Sequence, residues 1–106
     1  MNAREIAESN LPGAELVSKG LCDLIQGSYS EEALLVLVAS PRLRALAINV
    51  PTVSSVPLPY EHVLYSLLEE THGNEAYSRY NSLIRRIVSF SRALEREMGA
   101  RIRRGL

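Results

Sequence analysis

Apolar residues recur at helical spacing along most of this chain, and the longest such pattern lies at its C-terminal end. From residue 74 to about residue 104 they return every three or four positions with no intervening proline. With Tyr77 at heptad position a, Tyr77, Ile84 and Met98 fall at a, and Ser91 is the polar exception. Tyr80, Ile87 and Leu94 fall at d, and Ala76, Leu83 and Phe90 at g. Three adjoining apolar stripes predict a helix with a wide buried face, as in a bundle, and not a narrow coiled-coil seam. At 1.5 Å per residue the helix is about 40–45 Å long. Gly73 and Asn74 stand where a preceding helix would end and this one would be capped, which predicts a tight helical hairpin.

The rest of the chain carries shorter patterns. Residues 1–10 are mostly polar, with Ile6 their one branched apolar residue, and predict a short helix or a loose arm. Asn10 and Pro12 open a helix over about 12–26, with Val17, Leu21, Leu24 and Ile25 on its apolar face, Leu16 at the edge and Gly20 interrupting it. Ser30 followed by Glu31 and Glu32 is a helix start. Residues 33–39 are apolar all round, so periodicity alone would allow a buried strand; the cap favours a buried helix near the centre of the core. Ser40-Pro41 starts another helix over 41–47, with Leu43, Leu46 and Ala47 inward and Arg42 and Arg44 outward. Two prolines and three valines in 49–58 predict an extended connector over the core. Pro59 opens a helix over 59–72 that turns Val63, Leu64, Leu67, Leu68 and Thr71 inward. Together these predict a single all-α domain of four or five helices, with the last helix as its spine.

Charge sharpens the picture of that last helix. Its b, c and f positions hold Arg79, Arg85, Arg86, Arg92 and Arg96 with Ser78, Ser82 and Ser89, and no carboxylate lies among them. Such a face is either solvated or an anion surface, because a guanidinium offers a planar fork to phosphate or carboxylate. Arg101, Arg103 and Arg104 extend it, in a position that also suits the helix dipole. The formal net charge of zero hides an asymmetry. Residues 1–72 carry four basic and nine acidic side chains, and residues 73–106 carry eight basic and three acidic. The halves are therefore set to attract each other, within one molecule or between copies.

The chemistry-bearing residues are sparse. A lone cysteine, Cys22, excludes an internal disulfide and a cysteine-rich zinc site, and it reads as a small hydrophobe beside the apolar face of its helix. Glu69 and His72 have the spacing of a metal-ligand pair, but di-metal bundles need a second pair, so His72 is expected to meet the carbonyls of the last helical turn. His62 stands off their face. A helix-turn-helix around Gly73 would need a small residue at position 69 and an apolar one at position 79, where the chain has Glu69 and Arg79. Tyr29, Tyr60, Tyr65, Tyr77 and Tyr80 could stack bases, although Tyr77 and Tyr80 fall on the apolar face. No phosphate loop, nucleophile elbow or dinucleotide fingerprint is present.

These features point to a cytoplasmic, non-catalytic helical interaction protein with no cofactor, no metal and no membrane span. Its expected partners are a second copy, as a homodimer, and an unknown protein. Tyr77, Tyr80, Ile84, Ile87, Phe90, Leu94 and Met98 form the expected core or interface. The alternative is a nucleic-acid-associated protein that uses Arg79, Arg85, Arg86, Arg92 and Arg96.

Overall fold

The structure, a computed structural model, describes the backbone of residues 1–105 and the side chains of residues 1–100. Six α-helices follow one another: α1 (Ala3–Glu8), α2 (Ala14–Ile25), α3 (Glu31–Val38), α4 (Ser40–Ala45), α5 (Tyr60–His72) and α6 (Ala76–Gly105). A 3-10 turn, Gly73–Glu75, joins the last two. No strand occurs among the described residues, so the fold is all-α. Among the described residues no helix is long and apolar enough to cross a membrane.

The apolar run after Ser30 is a helix. Ser30 caps it by accepting from the Ala33 N–H at 3.2 Å, and every residue from Ala33 to Leu37 is buried. A helix with no polar side needs neighbours all round. It packs most extensively on α2, then on α5, with α4 and α6 completing the cover. Gly20 explains its own place in the apolar pattern of α2. A Cβ there would meet the Glu32 carbonyl oxygen at 2.4 Å and Val36 Cγ2 at 2.5 Å, so its absence lets α2 and α3 approach backbone to side chain.

Several boundaries differ from those predicted. Helix α2 begins at Ala14 and not at Pro12, because Gly13 (φ 77) turns left-handed and lies against α6. A Cβ on Gly13 would come within 2.7 Å of the Arg86 carbonyl oxygen and 3.3 Å of Phe90 Cβ. The N-terminal residues are a docked helix, not a loose arm. Asn2 and Glu5 form a capping box, Ile6 is buried, and Ser18 Oγ donates to the Ala3 carbonyl at 3.0 Å. Asn74 lies inside the 3-10 turn and caps nothing, since α6 starts two residues later. Ile25 and Thr71, expected inward, are exposed at the last turns of their helices. Cys22 is exposed as well.

The connector lies over the core as predicted. Ile48, Val50 and Val56 are buried, and Arg44 Nη2 donates to the carbonyls of Val50 and Pro51 at 3.3 Å each. Helix α5 turns back along α6, and the Tyr65 and Tyr80 rings meet edge to face with centroids 5.7 Å apart. Burial, reinforced by the Glu61 charge, pushes the Tyr80 phenol above its ordinary value. The whole measures 50 × 27 × 22 Å, the long axis matching the length of α6.

The start of α3 is also held electrostatically. Asp23 accepts from Lys19 Nζ at 2.7 Å and from Ser30 Oγ at 2.5 Å. These two hydrogen bonds, Lys19 first, hold its carboxyl below the ordinary 3.8. A depressed folded-state value adds stability that is complete above the ordinary aspartate range and lost as pH falls through the lowered value.

Two outcomes follow from this packing. Gly20→Ala should destabilise the fold by about 1–3 kcal/mol in urea denaturation, although alanine is the better helix former. A neutral or stabilised variant would mean that α2 and α3 stand further apart. The Asp23 contribution should be constant from neutral pH down to about pH 5 and be lost as pH falls below about 4 through the lowered value, and Asp23→Asn should shrink that acid loss. An undiminished loss in the variant would place the acid-sensitive group elsewhere.

Candidate interaction surface

Helix α6 presents three different faces, and only one of them is fully occupied by the protein's own core. Ala76, Leu83, Ile87, Phe90 and Leu94 are buried. Ser91 joins them, its hydroxyl donating to the Ile87 carbonyl at 2.9 Å. The predicted apolar face is thus narrower than its heptad positions imply. Stripes g and d close the core, whereas of stripe a, Ile84 and Met98 are half-buried and Tyr77 is 67% exposed. Tyr80 is half-buried against Tyr65. Helices α5, α2 and α3 pack on the g and d side of α6 and leave stripe a at the margin of the contact.

Stripe a continues into a groove. Val38 and Ala39 of α3 and Arg42 of α4 form one wall, and Ile84, Val88 and Arg92 of α6 form the other, around about 400 Å³. Val88, which was not among the predicted interface residues, is 39% exposed there. Its position one turn after Ile84 is the signal that marks it. Arg42 pairs with Glu95 at the end of the groove. A second groove of about 550 Å³ runs beside α5, between Tyr29 and Val56 on one hand and His62, Leu67 and Glu70 on the other.

The arginine face divides in two. Arg79 and Arg86 are held by the acidic half of the same molecule. Arg79 Nη2 lies 3.3 Å from Glu31 Oε2, and Arg86 pairs with Glu15. The charge asymmetry between the two halves is therefore spent partly inside one chain. Arg85, Arg92 and Arg96 point outward and pair with no carboxylate among the described residues; Arg96 Nε donates to the Arg92 carbonyl at 3.4 Å. The side chains of Arg101, Arg103 and Arg104 lie outside the described residues.

His72 meets neither Glu69 nor the carbonyls of its own last turn. Its Nε2 lies 2.6 Å from Glu31 Oε1, because α5 ends where α3 begins. Glu31 thereby joins His72 to Arg79 and ties together the start of α3, the end of α5 and the start of α6. Its side chain is only 17% exposed, and Arg79 Nε is buried without a hydrogen-bond partner. Glu69 faces solvent, so this pair does not converge. Among the described residues no three His, Cys, Asp or Glu side chains converge to hold a metal ion.

Comparison of the chain with protein-family models, curated proteins and solved structures finds no match.

The two ion pairs differ in depth and should differ in worth. Glu31→Ala leaves a half-buried guanidinium without its carboxylate and should cost about 2 kcal/mol in chemical denaturation. Glu15→Ala removes a solvent-screened pair and should change stability by less than about 1 kcal/mol. Equal costs would remove Glu31 from its bracing role.

Proposed function

We propose that this protein is a small, non-catalytic helical interaction protein that works as a homo-oligomer and offers its remaining surfaces to a further protein partner. The observation that carries this reading is the apolar stripe of α6 on which Tyr77 and Val88 are exposed and Ile84 is half-buried, beside a groove after the core has closed. Tyr77, Ile84 and Val88 lie along one side of the helix, and apolar side chains gathered beside a groove favour protein contacts. Polar groups rim the same groove, as is usual around a protein interface. The proposal assigns the protein to the cytoplasm, a reducing compartment that suits the exposed free thiol of Cys22.

The second reading is nucleic-acid association. It is favoured by Arg85, Arg92 and Arg96, which follow one another at helical spacing on the outer face of α6, exposed and paired with no carboxylate among the described residues. Contacts of this kind would go to phosphates and be independent of sequence.

Sedimentation equilibrium at about 10 μM, in the concentration range of a moderate-affinity complex, should return more than the monomer mass. A monomer at that concentration would overturn the homo-oligomer reading. Titration of duplex DNA and structured RNA at about 50 and 200 mM salt tests the other. Steeply salt-sensitive binding, lost in an Arg85→Ala/Arg92→Ala variant, would put nucleic-acid association first. Absence of binding at the lower salt would remove it.

A further inference from the structure

The uncovered stripe of α6 is self-complementary in one orientation. At 100° per residue Tyr77, Ile84, Val88 and Glu95 fall within about 20° of a single line along the helix. Tyr77 and Glu95 stand at its two ends, and Ile84 and Val88 at its middle. A second α6 laid antiparallel, with a two-fold axis level with residue 86, sets Ile84 against the second copy's Val88 and Tyr77 against the second copy's Glu95. Asn81 then stands within one residue of the level of the second copy's Arg92, on the same side of the contact. Apolar groups meet apolar groups at the centre, and each phenol meets an acceptor at the ends, which a phenol at an interface requires. Glu95 is suited to this because Arg42 already pairs with it and would remain beside it as a countercharge. A parallel pairing in the same register would instead set Glu95 on Glu95, an arrangement of like charges that costs affinity.

We infer that the Tyr77–Ile84–Val88–Glu95 stripe is a two-fold, antiparallel contact with a second copy of this chain, centred beside residue 86. The inference rests on the homo-oligomer reading above and adds its surface, orientation and register. A closed two-fold uses the same patch on both copies, so the contact stops at two chains. It leaves the 550 Å³ groove beside α5 outside the contact. It also carries Arg85, Arg92 and Arg96 of both copies to one side of the pair, because the two-fold runs perpendicular to both helices and preserves that side.

Cysteine cross-linking in a Cys22→Ser background tests it. In the antiparallel pair the two copies of residue 77 lie about 27 Å apart along the helices, beyond disulfide reach. Tyr77→Cys alone should therefore not cross-link, whereas an oxidised mixture of Tyr77→Cys and Glu95→Cys should give the mixed disulfide. Val88→Asp should keep its helicity, since Val88 is already partly in solvent, and should raise the dimer dissociation constant on the order of a hundredfold by placing two carboxylates near the two-fold. A dimer in which Tyr77→Cys links to itself would overturn the orientation and leave the homo-oligomer reading standing. A dimer that gives no mixed disulfide, or that is insensitive to Val88→Asp, would overturn the surface or its register. A wild-type monomer at about 10 μM would overturn both proposals together.

Discussion

A helix without a polar side must be covered all the way round, and α3 imposes that requirement on the whole molecule. Leu34, Leu35, Val36 and Leu37 are each buried, and each contributes about 1.5–3 kcal/mol relative to exposure. No single neighbour can supply that cover. Helix α2 lies closest, admitted by the missing side chain of Gly20, and α5, α4 and α6 enclose the remaining sides. The valine-rich connector adds Val50 and Val56 to the same buried cluster. The other helices take their places as walls around α3, which is why the fully apolar segment stands at the centre and the longest helix lies at the edge.

The cover places α3's polar first turn at a junction. Its first turn carries Glu31 and Glu32, and these are the carboxylates that the surrounding basic groups meet. Glu31 takes His72 and Arg79, and Glu32 lies 3.7 Å from Lys19. Ser30 caps the helix with one side of its hydroxyl and donates to Asp23 with the other. Burial decides the order of importance here. Exposed pairs such as Arg4–Glu8 contribute little against solvent screening, whereas the half-covered Glu31 is shared between two helices whose relative position it sets.

Because α6 is an outer wall, its circumference is used unevenly. One side completes the core, one carries arginines, and the strip between core and arginines is apolar without being covered. The two interaction readings draw on different parts of this helix, the strip for a second copy and the arginine side for an anionic partner. They are compatible in geometry: pairing along the strip leaves Arg85, Arg92 and Arg96 outward.

The helical periods, the Ser30 cap and the proline-valine connector were legible in the sequence because each is a local property of a few neighbouring residues, and the all-α class follows from them. The arginine side of α6 was equally legible, since helical geometry alone sorts residues onto faces. Distances across the chain were not. That Arg79 and Arg86 are answered by Glu31 and Glu15, that His72 turns to Glu31 and not to Glu69, and that Tyr77 stands in solvent while Ile87 is buried all depend on how far the shorter helices reach. Gly20 reads as an interruption in the sequence and proves, like Gly13, to be a point of closest approach, a meaning that exists only once α3 and α6 lie against them. Local pattern determines which residues form a helix and which way they face; only packing between elements remote in sequence decides which of those faces finds a partner.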